Sequence, residues 1–385
     1  MADGTTGAQD GTSDVSDAGD AVEASASDDA ATGGAPHDDF AHLHLHTQYS
    51  LLDGAIRVKD LCKTVKERGM SSVAITDHGN MFGAVQFYQE AKAHGIKPIF
   101  GSEVYVAAGD MTAKERRSYH QVLLARNEVG YRNLQRLVSF GHLRGFYYHP
   151  RIDRAVLREH REGLIGLSGC LGGHVSKLVL AGDMDGARAA ALDYREIFEP
   201  GMFFLELQQT GREEQERVND ALAQLGADLE IPLVATNNCH YINRDEAHAH
   251  EVLTCMGQGR TLDDPKRMRR GTDALFIKTA AEMEPSFRRF PGAFDNACRI
   301  ARLCEVELHL GSPELPDFEL PEGVDDDLPS YLRRVVLVGL EERLAELRAL
   351  GLKPDEDLYR ARVEHELKII ISMKFPGYFL IVWDF

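Results

Sequence analysis

The chain has 385 residues, of which 43% are hydrophobic and 27% charged, as expected for a globular protein with an ample core. Ten acidic side chains and no lysine or arginine fall in residues 1–39, so residues 40–385 carry only −8 of the net charge of −18. This balance excludes a generally basic, nucleic-acid-coating protein. The chain has no basic, apolar leader and no run of about 18 apolar residues, and its six cysteines form no C-x-x-C pair; together these features predict a cytoplasmic location.

The first 39 residues are predicted to be a disordered acidic tail. They consist mainly of Ala, Gly, Ser, Thr and Asp, which bury too little apolar surface to offset the entropy of ordering. A solvating extension explains this composition better than a DNA-mimicking or partner-binding tail.

From Phe40 onward, short apolar runs alternate with amphipathic stretches. Strands are predicted over residues 40–46, 72–76, 98–106, 121–125, 163–168, 203–207 and 232–236, and helices over 58–68, 84–94, 129–142, 173–180, 185–198 and 213–229. This alternation predicts an α/β fold with a parallel sheet or a barrel. The barrel is favoured because candidate site residues follow nearly every strand.

Beyond about residue 243 the pattern becomes helical, with helices predicted over residues 245–257, 280–305, 331–350 and 356–373. A proline-rich connector over residues 311–323 divides this region. The last nine residues form an apolar run without a helix stop signal, which we interpret as a truncated product.

The segment over residues 40–46, called here the histidine segment, carries the most informative pattern. His42, His44 and His46 alternate along it, and Asp53 follows seven residues later. Alternate residues of a strand share one face, so the three imidazoles are expected to converge. Such a group suits a divalent metal better than an apolar core.

Further metal-capable side chains lie within or at the ends of other predicted strands. They are His78, Glu103, Cys170 and His240, with Asn238 beside the last of these. His120 fits less well, because it precedes its apolar run. The carboxyl ends of barrel strands meet at one face, so these side chains are expected to lie together.

Other polar residues have simpler explanations. His42 is predicted to be structural, Asp77 to cap a turn, and Cys239 to pack on the opposite side of its strand from His240. Glu206 could orient a helix or support the site, and it is left out of the ligand set. His248 and His250 are expected on the surface, and a solvated loop explains Lys266, Arg267, Arg269 and Arg270 at least as well as phosphate contacts do.

Four motifs, in this order, resemble the bacterial replicative DNA polymerase III alpha subunit. They are HLHTQYSLLDG at 44–54, TDHGNMFG at 76–83, GIKPIFGSE at 95–103 and LDDPKR at 262–267. The resemblance implies that residues 40–285 form a PHP (polymerase and histidinol phosphatase) domain, a distorted seven-stranded β/α barrel. Residues 286–385 would be a connector and the mostly helical beginning of the polymerase palm, because FPGYFLIV at 375–382 is similar to the palm's first segment.

The resemblance also implies a set of nine metal ligands for two or three ions, with no catalytic group outside the metal shell. Eight of them fall on His44, His46, Asp53, His78, Glu103, His120, Cys170 and His240. The ninth position is Asp in the family and Asn238 here. A neutral amide neither bridges cations nor neutralises them well, so we predict that one metal is weakly held or absent.

The activity implied by the resemblance is metal-assisted phosphodiester hydrolysis, a proofreading 3′→5′ exonuclease acting on single-stranded DNA ends. His and Cys ligands favour Zn or Mn, whereas Mg would serve a polymerase site whose motifs this sequence lacks, so primer extension is not expected. Implied partners are DNA, the sliding clamp, the clamp loader and a proofreading exonuclease subunit. Two alternatives stay open: an inactive structural module that docks the exonuclease, and a histidinol-phosphatase-like phosphomonoesterase, against which the polymerase motifs argue.

Overall fold

A computed structural model describes residues 40–311 and 316–385, so the predicted acidic tail lies outside the described residues. The chain divides into two compact units, the first ending at Leu308 and the second spanning His309–Phe385. Among the described helices, none is both long and apolar enough to cross a membrane.

The described part of the first unit contains eight strands. They are β1 (Ser72–Ile75), β2 (Lys97–Ala107), β3 (Ser118–Ala125), β4 (Phe146–Tyr147), β5 (His149–Ile152), β6 (Leu164–Leu167), β7 (Phe203–Gln208) and β8 (Leu233–Thr236). Six of them coincide with predicted strands. The sequence did not predict β4 and β5, which pair as a short antiparallel hairpin.

The direction of β3 is the main departure from the predicted parallel arrangement. The pairs β1–β2, β6–β7 and β7–β8 are parallel, whereas β3 is antiparallel to both β2 and β6. A loop over residues 108–117 joins β2 to β3 in place of a helical crossover, and this loop lets the chain reverse. The start of β3 therefore lies at the face where the neighbouring strands end.

The histidine segment closes the sheet into a barrel. The backbone N–H of Ala74 donates to the carbonyl of His42 (2.9 Å), which joins the segment to β1. On the other side, the N–H of His46 donates to the carbonyl of Cys239 (2.8 Å) and the N–H of Cys239 to the carbonyl of His44 (3.0 Å), just after β8. The histidine segment makes isolated bridges and does not form the regular strand predicted over residues 40–46. With β1, β2, β3, β6, β7 and β8 it still gives the predicted α/β barrel class.

The described part of the first unit contains ten α-helices, and most of them bury apolar side chains in its core. They are α1 (Val58–Glu67), α2 (Ala84–His94), α3 (Glu128–Leu143), α4 (Arg154–Glu159), α5 (His174–Leu180), α6 (Met184–Ile197), α7 (Glu213–Leu229), α8 (Ala247–Gly257), α9 (Ala280–Phe287) and α10 (Ala293–Leu303). In α1, for example, Val58, Leu61, Cys62 and Val65 are fully buried. Each such aliphatic side chain contributes about 1.5–3 kcal/mol relative to exposure.

Residues 286–308, which the sequence analysis assigned to the second region, belong to the first compact unit. Ala297 and Ile300 of α10 are buried in the core of that unit. The side chain of Asn296 also donates to the backbone carbonyl of Leu233 in β8 (2.8 Å).

The described part of the second unit is helical, as predicted. It contains α11 (Leu328–Ala349), α12 (Glu356–Ser372) and α13 (Pro376–Asp384). Its core contains the buried side chains of Tyr331, Leu332, Leu367 and Leu380.

Candidate metal centre

One end of the barrel gathers polar side chains from the histidine segment and five strands. These side chains come from separate parts of the sequence. They are His44 and His46 in the histidine segment, Asp53 in the loop after it, His78 after β1, Glu103 in β2, His120 in β3, Cys170 after β6, and Asn238 and His240 after β8. His120 reaches this end because β3 runs antiparallel to its neighbours. This reversal explains why His120 precedes its apolar run in the sequence.

Glu103 lies at the middle of the group and is 1% exposed. Its Oε1 accepts a hydrogen bond from His120 Nδ1 (3.0 Å) and lies 3.3 Å from His44 Nε2. Its Oε2 lies 2.8 Å from His78 Nδ1 and 3.4 Å from His46 Nε2. One carboxylate therefore contacts four imidazoles.

Cys170 adds a thiol beside the same carboxylate. Its Sγ lies 3.5 Å from Glu103 Oε1 and 3.6 Å from His120 Nδ1. Burial raises the pKa of this thiol, and the negative charge of Glu103 raises it further. A bound cation would reverse that shift, because metal ligation favours the thiolate.

Asp53 forms a second centre of contacts. Its Oδ2 lies 3.1 Å from His78 Nε2 and 3.4 Å from His240 Nε2, and its Oδ1 lies 3.6 Å from His250 Nε2. Arg270 also contacts both of its oxygens, at 2.5 and 2.6 Å. His78 thus links the two carboxylates, since its two nitrogens face one carboxylate each.

Hydrogen bonds fix the tautomers of three of these histidines. His44 Nδ1 donates to Glu206 Oε1 (2.6 Å), and His240 Nδ1 donates to the backbone carbonyl of Asn238 (2.9 Å). The hydroxyl of Ser50 donates its proton to Asp77 Oδ1 (2.7 Å), so the same oxygen acts as the acceptor for His46 Nδ1 (2.9 Å). Each Nδ1 therefore holds its proton, and each Nε2 is left as a ligand atom.

These inward Nε2 atoms fit a cation. His44 Nε2 and His46 Nε2 are 3.2 Å apart, so two lone pairs face each other unless a proton or a cation lies between them. His78 Nδ1, Glu103 Oε2, His240 Nε2 and His250 Nε2 are buried with no hydrogen-bond partner among the described residues. Buried polar atoms seldom lack a partner, and a bound ion would supply one here.

Four groups of side chains bring their ligand atoms within 4.8 Å of one another and can each hold a metal ion. These groups are His44–His46–Glu103, His46–His78–His240, His78–Glu103–His120 and Asp53–His240–His250. The side chains shared between groups place the candidate positions next to each other.

Charge within the site shifts several pKa values. Although burial opposes protonation, Glu206 and Glu103 raise the pKa of His44 to about 10. Against the same burial, Glu103 raises the pKa of His78 and of His120 to about 9. The pKa of Glu103 is well below its usual range despite burial, because these imidazoles surround it. When no metal is present, protons on the imidazoles thus neutralise the negative charge of the carboxylates. Binding of cations would release these protons.

Eight of the nine predicted residues join this contact network through their side chains. Asn238 joins it through its backbone carbonyl, which accepts from His240. Its φ of 52° lies in the left-handed region, which asparagine tolerates better than most residues. Its Oδ1 is buried and has no hydrogen-bond partner within the described part of the chain.

His250 and Arg270 are part of the network although the sequence analysis placed them elsewhere. His250 was expected on the surface, but it is 2% exposed, whereas His248 on the same helix is exposed as predicted. The two residues are two positions apart on α8, so one faces the barrel and the other faces away. The packing of α8 decides which of the two histidines is buried.

Three further expectations concern the residues around the site. His42 is fully buried and its Nε2 donates to the backbone carbonyl of Lys278 (2.8 Å), which confirms a structural role. Asp77 was expected to cap the turn after its own strand, but it accepts from the N–H and hydroxyl of Thr47 (both 2.7 Å) and so supports the turn that follows the histidine segment. Glu206 supports the site by orienting His44.

Comparisons with known proteins agree with this architecture. Residues 42–210 match the PHP domain family, and residues 330–385 match the bacterial DNA polymerase III alpha NTPase domain. The first unit thus carries a PHP domain.

The chain as a whole is related to DNA polymerase III alpha subunits. It is 42% identical over 352 residues to the DNA polymerase III subunit alpha of Borreliella burgdorferi and 41% identical over 406 residues to that of Thermus aquaticus, matches that each cover 90% of this chain. Its similarity to them extends over the PHP domain and the start of the polymerase region. The chain spans about 30% of the length of these relatives.

More distant matches come from solved structures. An amidohydrolase from Chromobacterium violaceum is 13% identical with a TM-score of 0.36, covering 52% of this chain and 87% of its own. A two-domain protein from Bacteroides vulgatus, described as containing a predicted PHP-like metal-dependent phosphoesterase, is 14% identical with a TM-score of 0.30, covering 53% of this chain and 54% of its own.

Proposed function

We propose that the PHP domain binds divalent metal ions and hydrolyses the terminal phosphodiester of single-stranded DNA 3′ ends. The observation that carries this proposal is the 3.2 Å approach of His44 Nε2 and His46 Nε2 while both Nδ1 protons are held by other acceptors. In the metal-free site a proton can lie between these two nitrogens, and a cation that replaces it would have two imidazole ligands beside a buried carboxylate.

Each side chain of the site has a defined task in this proposal. The imidazoles of His44, His46 and His240 present Nε2 atoms whose orientation Glu206, Ser50 and the Asn238 carbonyl fix. Glu103 and Asp53 supply the negative charge that holds cations beside these imidazoles. When bound, the ions would polarise the phosphate and lower the pKa of a water molecule.

Zinc or manganese fits the imidazole and thiol donors better than magnesium does. The natural test is release of mononucleotides from a 5′-labelled single-stranded oligonucleotide, with and without chelator, for wild type and His46→Gln. We expect release that needs added Zn²⁺ or Mn²⁺ and is lost in the variant. Stoichiometric metal without nucleotide release would contradict the proposed activity.

A second candidate is an inactive module that stabilises the polymerase and docks a proofreading exonuclease. Two observations favour it: Asn238 stands where the family has Asp, and Arg270 occupies both oxygens of Asp53. A guanidinium there neutralises the carboxylate as a cation would. Full binding of an exonuclease subunit by a metal-free His46→Gln variant would support this candidate.

We also propose that the chain acts within a bacterial replicase in the cytoplasm, alongside a sliding clamp, a clamp loader and a proofreading subunit. The proposal assigns residues 40–285 to the phosphoesterase module and 286–385 to the connector and the beginning of the palm. Limited proteolysis would test these bounds, because an early cut near residue 285 would support them, whereas a resistant fragment that runs to about residue 308 would contradict them.

A further inference from the structure

An aromatic hairpin beside the metal centre has no role in the chemistry described above. The strands β4 and β5 pair Tyr147 with His149, so Tyr148 alone forms the turn. Phe146 is 60% exposed and Tyr148 57%. Exposed apolar side chains that cluster at a rim are typical of interaction sites.

The turn residue itself is strained. Tyr148 has a φ of 63°, in the left-handed region that disfavours a residue with a bulky side chain. Glycine or asparagine would fit this turn without strain. Strained residues of this kind concentrate at functional sites, where the side chain serves a purpose other than folding.

Ring stacking connects this hairpin to the metal centre. The ring of Tyr105 stacks on His149 of the hairpin, with centroids 4.4 Å apart, and on His78, 5.9 Å away. It also meets the edge of His120 at 5.2 Å. One tyrosine therefore contacts the hairpin and two of the candidate ligands, which places the hairpin at the rim of the metal centre.

A second row of rings flanks the hairpin. The ring of His142 lies 6.2 Å from Phe146 and 6.0 Å from Phe82, which is 62% exposed. His142 Nε2 donates to the backbone carbonyl of Gly79, directly after His78 (2.9 Å). The second row therefore also lies beside the metal centre.

Positive charge accompanies the rings. The guanidinium of Arg116 lies over the ring of Tyr148, 3.7 Å from its centroid. The exposed loop 112–117 also carries Lys114 and Arg117, with Glu115 as its acidic residue. This local excess of basic side chains contrasts with the net charge of −18 of the whole chain.

A buried arginine holds this basic loop against the hairpin. Arg151 of β5 is 1% exposed and donates to the backbone carbonyls of Met111 (2.8 Å), Ala113 (2.9 Å) and Glu115, all in the β2–β3 loop. The Nε of the same guanidinium donates to the carbonyl of Gly145 (3.1 Å). The arrangement of Arg116 over Tyr148 is thus built into the fold.

We propose that an exposed surface binds the last nucleotides of a single DNA strand on its way to the metal centre. This surface, called here the hairpin surface, consists of Phe82, Phe146, Tyr148 and Arg116. The three rings stack on bases, and Arg116 neutralises a phosphate. Exposed rings beside a guanidinium group match the bases and phosphates of a single strand. A purely apolar partner would leave Arg116 without a counter-charge, whereas Arg117 already pairs with Glu115 (3.3 Å). The proposal rests on the proposed function for its choice of substrate, and it adds the surface that would hold that substrate.

The test is oligonucleotide binding by fluorescence anisotropy, using labelled oligo-dT and the full chain with chelator present, so that the strand is not hydrolysed during the measurement. Stacking on an aromatic ring contributes about 1 kcal/mol or more per base, so Tyr148→Ala should weaken binding at least about 5-fold. Tyr148→Phe should bind as wild type does. Tyr359→Ala, which removes an exposed tyrosine of the second unit, is the matched control and should leave affinity unchanged.

A glycine variant separates binding from folding. Tyr148→Gly relieves the backbone strain, so it should unfold at the same or a higher temperature than wild type and still lose DNA affinity. Arg116→Gln should reduce the slope of log affinity against log salt by about 0.7, whereas Arg132→Gln, an exposed arginine on α3, should not.

The outcomes distinguish this inference from the proposed function. Hydrolysis of single strands with unchanged affinity in Tyr148→Gly would overturn the inference and leave the function standing. Tyr148-dependent binding without hydrolysis would support the inference and contradict the function. Absence of oligonucleotide binding by wild type, or equal binding of a blunt duplex, would also overturn the inference.

Discussion

Replacing Glu103 with glutamine tests the electrostatic account of the metal centre. The side chain is 1% exposed and contacts four imidazoles at 2.8–3.4 Å, so Glu103→Gln removes one buried negative charge and little volume. Removing one partner of a buried charged pair typically costs 3–5 kcal/mol. The imidazoles relieve part of this cost by losing their protons, so we expect a loss of about 3 kcal/mol in the metal-free protein at pH 7.

Thermal and urea unfolding with chelator present would measure this loss, which corresponds to a fall of roughly 6–10 °C in Tm. Saturating wild type with metal at about 100 times its Kd should add about 2.7 kcal/mol, and the variant should gain much less. Glu90→Gln is the matched control: this carboxylate is 26% exposed and 3.9 Å from His94, so its loss should cost under about 1 kcal/mol. If metal-free Glu103→Gln is as stable as wild type and binds the same number of ions, the account is wrong.

Three further predictions concern single positions. Asn238→Asp should raise the number of ions bound per chain, measured by elemental analysis, and lower metal-free stability because it buries a carboxylate; unchanged metal content would contradict our account of this residue. Arg151→Met should cost about 3 kcal/mol in urea unfolding, because four backbone carbonyls lose their donor, and a cost below about 1 kcal/mol would rule this out. Burial and nearby Arg154 lower the pKa of His174 to about 4, so its contribution to stability is present above pH 6.5 and lost as the pH falls towards 4. His174→Phe should therefore reduce the loss of stability between pH 7 and 4.5, and identical pH profiles would argue against it.

Much of the fold was predictable because its periodicities are local. Apolar runs and turn signals located six of the eight described strands, and helices such as α2 (Ala84–His94) and α7 (Glu213–Leu229) have the predicted bounds. The β4–β5 hairpin escaped prediction because its strands are two and four residues long and partly exposed, which leaves no apolar pattern.

Part of the metal centre was also predictable from the sequence. The alternation of His42, His44 and His46 and the positions of His78, Glu103 and Cys170 after or within strands indicated a metal centre from the sequence itself. Eight of the nine residues named for it lie in one contact network, while their role as ligands stays a prediction.

Only the tertiary structure decided the rest of the site. The reversal of β3 brought His120 to the same face, and the packing of α8 buried His250 rather than His248. Arg270 meets Asp53 across 217 residues of sequence, and Tyr105 joins the metal centre to a hairpin that no motif marked. The sequence by itself determined which side chains could bind a metal, because residue chemistry and strand alternation are local. It could not determine which partners they meet, because strand direction and helix rotation depend on packing of the whole barrel.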